Sequence, residues 1–211
     1  DFQDNYHHRH LSHLYPLFPG LEISNESDCR LFDACRIAVA KRNTIGIESQ
    51  TGWSLAHMAN IYARLGLGNE AWECLSLMSR STVGANLFTY HIDNRNMGIT
   101  GSLAGNPAYQ IDANLGFSAA VLEMLVYSNK GIIKLLPALP AQWKNGSLRG
   151  VRCRGGFEIN MKWNNHKLRY LSVTSYTGKP CNLCYGGKSE TFQIPKGKTI
   201  LLNGDLNFVK H

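Results

Sequence analysis

Up to Asn129 the apolar residues recur at helical spacing; beyond it they alternate with polar ones. The helical spacing predicts a first helix from about Asp28 to Arg42, with Leu31, Cys35, Ile37, Ala38 and Val39 on its apolar face, behind a start cluster at Ser24–Asp28. A second runs from about Gly52 to Leu65 and carries Trp53, Leu55, Ala56, Ala59, Ile61 and Tyr62, with Gly66-Leu67-Gly68 as its C-terminal turn. A third opens at Asn69 and reaches about Arg80 through Ala71, Trp72, Leu75, Leu77 and Met78. The most apolar stretch is Ile111–Asn129, whose only acids are Asp112 and Glu123 and which has no base. It predicts a helix buried on most sides.

After Asn129 short segments follow: Ile132–Leu136, Leu148–Arg154, Phe157–Trp163, Leu168–Ser175, Asn182–Tyr185, Glu190–Ile194 and Thr199–Leu202, punctuated by Gly, Pro and Asn. Phe157, Ile159, Met161 and Trp163 alternate with Glu158, Asn160 and Lys162, the pattern of a half-buried strand. The expected class is α+β with more than one domain, a helical part over 1–129 and a small antiparallel β-sandwich over 130–211. Charge supports the division. Residues 1–129 hold 8 Lys+Arg and 12 Asp+Glu, whereas residues 130–211 hold 14 and 3, a net of +11. The basic second part could meet nucleic acid or an anionic glycan. No nucleic-acid-binding motif accompanies it, so a solvated basic surface is the expectation and nucleic acid is not an expected partner.

Apolar content of 44% and charged content of 18% exclude a disordered chain. No apolar run approaches the ~18 residues of a membrane span, so no membrane insertion is expected. A chain that opens on Asp1 rather than Met, without a signal peptide, is expected to be a processed product or a fragment.

The candidate chemistry gathers in two loops and one helix start. Residues 1–20 hold His7, His8, His10 and His13 with Arg9 among them, followed by a Pro- and Gly-rich turn. Such a cluster could bind a metal or offer directed donors to sugar hydroxyls. Without HExxH, a neighbouring Cys or a carboxylate set, the binding-loop reading is the better one, and neither metal nor cofactor is expected. Gly84–Pro107 is a long loop with Tyr90, His91, Asp93, Asn94 and Arg95, leading to Asp112. Asp112 opens the apolar helix. It either caps that helix, accepting from its first-turn N–H groups, or does chemistry at the edge of a core. Glu48, Asp93 and Glu123 are further carboxylates with no supporting motif. Six cysteines at 29, 35, 74, 153, 181 and 184 define no disulfide framework. Cys181 and Cys184 form a lone CxxC expected to pack as small apolar residues. The RLGLGNEAWECL join suggests paired helices, but no ~34-residue repeat recurs as a tetratricopeptide array would require.

Five strings occur in order: HHRHLSHLYPLFPG (His7–Gly20), TGWSLAH (Thr51–His57), NPAYQIDANLG (Asn106–Gly116), IIKLLPALPAQW (Ile132–Trp143) and RGVRCRGGFEI (Arg149–Ile159). Together they closely resemble the C-terminal part of glycoside hydrolase family 95, inverting α-L-fucosidases of which some act as α-L-galactosidases. The resemblance implies the C-terminal part of an (α/α)6 toroid followed by the sandwich, and a fucosylated glycan as substrate, α-1,2-linked. It implies that Asp112 acts on the base side, polarising an Asn-bound water, and that Arg9 and His10 of the HRH motif contact substrate. His8, Trp53 and Gln110 lie in matching motifs and are candidate binding residues. The family's general-acid Glu and water-binding Asn residues have no counterpart here, so the chain alone is expected to be inactive. Its expected partners are the missing N-terminal half or a second copy, since a half-toroid exposes apolar helix faces. The family usually reads HPPFQIDGNFG; here Asn106 stands for His, Ala113 for Gly and Leu115 for Phe. Two other readings are an α-L-galactosidase of the same family and a non-catalytic carbohydrate-binding or helical-scaffold module.

Overall fold

The computed structural model describes residues 5–45, 49–93, 95–97, 108–129 and 131–209; Glu48, Asn94, Asn106 and Pro107 lie outside them. The chain forms two units that divide between Glu123 and Met124. The first holds a 3-10 turn at Ser12–Leu14 and helices α1 (Cys29–Ile45), α2 (Gly52–Arg64) and α3 (Gly68–Ser81); α4 (Ile111–Leu125) begins in it and ends in the second. Local chemistry sets the helix ends. Asp28 caps α1, its Oδ1 accepting from Leu31 N at 3.0 Å. Thr51 and Ser54 form a capping box at the start of α2. At its end Leu67 N donates to Tyr62 O (2.9 Å) and Gly66 N to Ala63 O (3.1 Å), a Schellman motif with Gly66 at φ +74°.

Burial departs from the apolar pattern. The helix buried nearly all round is α2, from Gly52 to Ala63 with only Trp53 half-buried. Helix α4, the most apolar, buries Ala113, Gly116, Ala120 and Met124 and exposes Ile111, Leu115 and Leu122. In α1 the buried stripe is Phe32, Cys35, Val39 and Arg42, while Leu31 and Ile37 are exposed. Neighbours decide this. Helix α2 has the residue 7–20 segment, α1, α3 and α4 around it, through His57 to Phe18 O, Asn43 to Tyr62, packing on α3 and Asn60 Nδ2 to Gly116 O at 2.9 Å. One side of α4 has no such neighbour among the described residues.

The expected long loop is partly paired. Val83 bridges Thr89 and Tyr90 bridges Tyr109, both antiparallel, and His91 N donates to Ala108 O at 2.9 Å. Asn114 on α4 holds the turn: its Oδ1 accepts from Thr89 N (2.8 Å) and its Nδ2 donates to Leu87 O (3.0 Å).

The second unit has eight strands: β1 (Val126–Asn129), β2 (Ile132–Leu135), β3 (Gly146–Cys153), β4 (Phe157–Asn164), β5 (Lys167–Ser175), β6 (Pro180–Tyr185), β7 (Lys188–Gln193) and β8 (Thr199–Asn203). They form two four-stranded sheets, ordered β1-β2-β6-β7 and β3-β4-β5-β8. Residues 126–129, expected to continue the helix, are instead a strand paired antiparallel with β2 across Gly131. A short apolar run fits either period, and pairing decides. One pair breaks the antiparallel expectation: β2 and β6 run parallel, because the chain builds β3 to β5 before re-entering beside β2. Inner faces are apolar, with Phe157, Ile159, Met161 and Trp163 of β4 and Leu171 and Val173 of β5 buried, as are Ile133, Leu135, Cys181 and Leu183 of the other sheet. Arg154 N to Ser128 Oγ (2.7 Å) and Leu168 N to Tyr185 Oη (2.7 Å) join the sheets. The two cysteines of CxxC separate: Cys181 is buried, whereas Cys184 lies on the other side of β6 with Sγ 3.3 Å from Ser189 Oγ. Burial, then Cys153, pushes the Cys181 thiol up to about 12. Among the described residues no helix is long and apolar enough to cross a membrane.

Candidate active site

The His-rich segment is held from beneath by a buried cation. Arg42, on the inner stripe of α1, donates through Nη1 to His8 O (2.5 Å) and His10 O (3.4 Å), and stands 6.0 Å over the Tyr6 ring. His8 then turns back on its own loop: its Nδ1 accepts from His10 N at 3.1 Å, and the two rings lie 5.1 Å apart. With their carbonyls engaged below, the side chains of His8 and His10 stay exposed and Arg9 half-buried.

The second component is the junction of α2 and α4. Gln110 precedes α4 and turns its side chain to α2, where Oε1 accepts from Trp53 N at 2.8 Å. Gly52 makes this approach feasible, because a Cβ there would lie 2.7 Å from Tyr90 O and 3.0 Å from Gln110 Oε1. Gly116 does the same one turn on, where a Cβ would meet Ala56 Cβ at 3.0 Å and the Trp53 ring at 3.1 Å. Trp53 stacks on His57 with centroids 5.3 Å apart and 7° between planes.

Electrostatics bring the two components together. His10 is held below its ordinary value of 6.5 by burial first, then by Arg9 and His8; Asp112 opposes them and His91 adds to them. Arg9, His8, His91 and Asp112 thus all act electrostatically on His10, and Asp112 is the one carboxylate among them. His57, behind Trp53, is also lowered, by burial first, against the Phe18 carbonyl that its Nε2 meets at 3.3 Å, with His10 and His13 adding to the lowering. A neutral imidazole can donate or accept at sugar hydroxyls, and Arg adds directed donors. No group of three or more His, Cys, Asp or Glu among the described residues is arranged to hold a metal ion.

Asp112 sits one residue inside α4 and is exposed. Its Oδ1 accepts from the next backbone N–H, Ala113 N, at 2.9 Å; no donor among the described residues takes Oδ2. That contact lies within one residue, so it ties no second element to the carboxylate. Of the other carboxylates, Glu123 is committed to Arg64, and Asp93 Oδ1 accepts from Arg95 N at 3.1 Å. His91 was only a loop residue in the sequence. Its place depends on the Tyr90–Tyr109 bridge, for which the sequence offers no period.

A family model for the glycosyl hydrolase family 95 catalytic domain matches residues 1–125, and one for the glycoside hydrolase family 95 C-terminal domain matches residues 127–202. Alpha-L-fucosidase 2 of Arabidopsis thaliana is 35% identical over 223 aligned residues, covering 100% of this chain and 24% of that protein. Probable alpha-fucosidase A of Aspergillus niger is 32% identical, covering 75% of this chain and 20% of its own length. Its namesake from Aspergillus oryzae is 30% identical, covering 83% and 25%. The chain thus spans a quarter or less of these curated relatives.

Proposed function

Since the chain belongs to glycoside hydrolase family 95, we propose that its parent is an inverting exo-α-L-fucosidase. It removes terminal fucose from glycans, α-1,2-linked, and this chain supplies the C-terminal part of its (α/α)6 toroid and the following β-sandwich. The observation that supports the reading is that Asp112, Arg9, His8 and His91 all act electrostatically on His10. The names of the relatives support the substrate class.

Inversion needs a general acid on the leaving oxygen and a base that activates water on the opposite face, roughly 6.5–9.5 Å away. Asp112 takes the base side, its exposed carboxylate polarising the attacking water. Arg9, His10 and His8 hold sugar hydroxyls. Trp53, backed by His57, offers a ring face to the apolar side of the sugar, and Gln110 fixes α4 to α2 so that Asp112 keeps its position. The acid comes from another part of the parent. The stripe Ile111, Leu115 and Leu122 on α4 is where the remaining toroid helices pack.

The chain alone is expected not to hydrolyse an aryl α-L-fucoside, and to bind L-fucose in calorimetric titration in a manner lost in Asp112→Ala and Arg9→Ala. Hydrolysis by the isolated chain, abolished by Asp112→Asn, would overturn the division of acid and base. Fucose binding that survives both variants would reduce Asp112 to a helix-start residue. In the full-length parent, faster cleavage of an L-galactoside than of a fucoside would reassign the sugar.

A further inference from the structure

The outer face of the β3-β4-β5-β8 sheet carries a groove that no step of the proposed hydrolysis uses. It is an open depression of about 280 Å³, lined in part by Leu148, Arg149, Asn160, Lys162, Tyr170 and Ser172. Its form follows from the register. Lys162 lies opposite Tyr170 and Asn160 opposite Ser172, so these four share the outward face of β4 and β5. The β3–β4 pairing shifts between Leu148 and Val151, and there Gly150, at φ +70°, turns its N–H onto Asn160 Oδ1 at 2.9 Å. The other end of the amide donates to Ser172 Oγ at 2.9 Å. The floor is thus a fixed chain of amide and hydroxyl, with Ser172 only 5% exposed, while Arg149, Lys162 and Tyr170 stand exposed on the walls.

We infer that this groove binds an anionic saccharide, a sugar ring bearing a carboxylate or a sulfate. Three features point to that chemistry. The walls carry two cations, neither of which forms an ion pair among the described residues, whereas Arg152 and Lys188 of the same unit do pair, with Glu158 and Asp205. Residues 130–211 hold only 3 acids against 14 Lys+Arg, so the field at the groove is positive. The polar floor and the single aromatic wall offer hydrogen bonds to hydroxyls and a face for one ring. A nucleic acid strand would call for a run of stacking aromatics and a long track, and the volume suits one or two rings.

The test uses the whole chain and isothermal titration with three probes: a trigalacturonate, a sulfated disaccharide and the neutral galactose trimer. Binding of an anionic probe and not of the neutral one is expected, and which anionic probe binds identifies the charged group. Tyr170→Ala should weaken binding about tenfold, as loss of a central aromatic contact does. Arg149→Gln with Lys162→Gln should abolish it, and Lys196→Gln with Lys198→Gln, the same charge change at residues that do not line the groove, should leave it intact. Equal weakening by both double variants, or an oligonucleotide of matched charge binding as tightly and independently of Tyr170, would reduce the effect to non-specific attraction and overturn the proposal. So would no binding of any anionic probe by a wild type folded by circular dichroism.

Discussion

Arg64 and Glu123 form a two-pronged ion pair between α2 and α4, with Nε 2.6 Å from Oε2 and Nη2 3.1 Å from Oε1. The Arg64 side chain is 8% exposed, and its Nη1 also donates to Leu17 O and Gly20 O at 3.3 Å while the guanidinium stands 5.4 Å over the Phe18 ring. One cation thus gathers the end of the His-rich segment and two helices. Glu123→Gln would leave a buried guanidinium without its counter-charge. Because Glu123 keeps 21% exposure, the expected loss is about 2–3 kcal/mol, below the ~3–5 of a fully buried pair. Urea unfolding of the variant and wild type measures it; a change below about 0.5 kcal/mol would show that solvent screens the pair.

Gly52 marks a close approach of α2 to the segments around Tyr90 and Gln110. In Gly52→Ala the added Cβ, 2.7 Å from a backbone oxygen, must push Tyr90 away or tilt the start of α2. Overpacking of this kind costs about 1–3 kcal/mol. The same shift pulls Trp53 N from Gln110 Oε1, so amide exchange at Trp53 should quicken more than at Ala63, at the far end of the helix. Uniform quickening along α2 would mean that the strain is spread rather than local.

The sequence located the three helices before the loop within a few residues, since their apolar stripes and caps are local: Asp28, Thr51 and Gly66 each act within a turn of their own position. What it misjudged depended on partners far along the chain. The apolarity of Ile111–Leu125 reports how much surface α4 can bury, not how much its neighbours here cover, so α2 proved the enclosed helix. Val126–Asn129 became a strand because Ile132–Leu135 turns back beside it. For the candidate site, the family resemblance named Arg9, His10, Asp112, Trp53 and Gln110 from the order of the motifs. His91 and the Arg42 support under the loop were not legible, because each depends on a contact across the fold: His91 N to Ala108 O, and Arg42 to His8 O.

His57 makes the first unit sensitive to acid, with a smaller share from His10, whose exposed side chain is screened by solvent. Burial holds His57 below 6.5 in the folded chain, where it is 8% exposed, flanked by Trp53 and Phe18 and near His10 and His13. The unfolded chain therefore takes up protons first as pH falls. Stability from these groups is full above about 6.5 and declines as pH drops toward their folded values, below which both states are protonated and the slope vanishes. The melting temperature should fall between pH 7.5 and 5, and His57→Gln should flatten that fall. An unchanged slope in the variant would place the acid sensitivity elsewhere.

The stripe of Ile111, Leu115 and Leu122 gives the last prediction. These side chains are 59%, 66% and 43% exposed along one face of α4, and covering what remains of each is worth about 1 kcal/mol, roughly half the value of burying a fully exposed Leu or Ile. A surface of this kind finds cover, on the proposed reading from the rest of a toroid and in the isolated chain from a second copy. The isolated chain is expected to self-associate at micromolar concentration. Leu115→Glu with Leu122→Glu should sediment as a monomer with its helix content unchanged, since neither residue belongs to the buried stripe of Ala113, Gly116, Ala120 and Met124. Adding the preceding part of the parent should dissolve the wild-type assembly into a one-to-one complex and leave the double variant unbound. A wild type that stays monomeric and ignores the added part would show that this face needs no cover, and would remove the main structural support for a divided toroid.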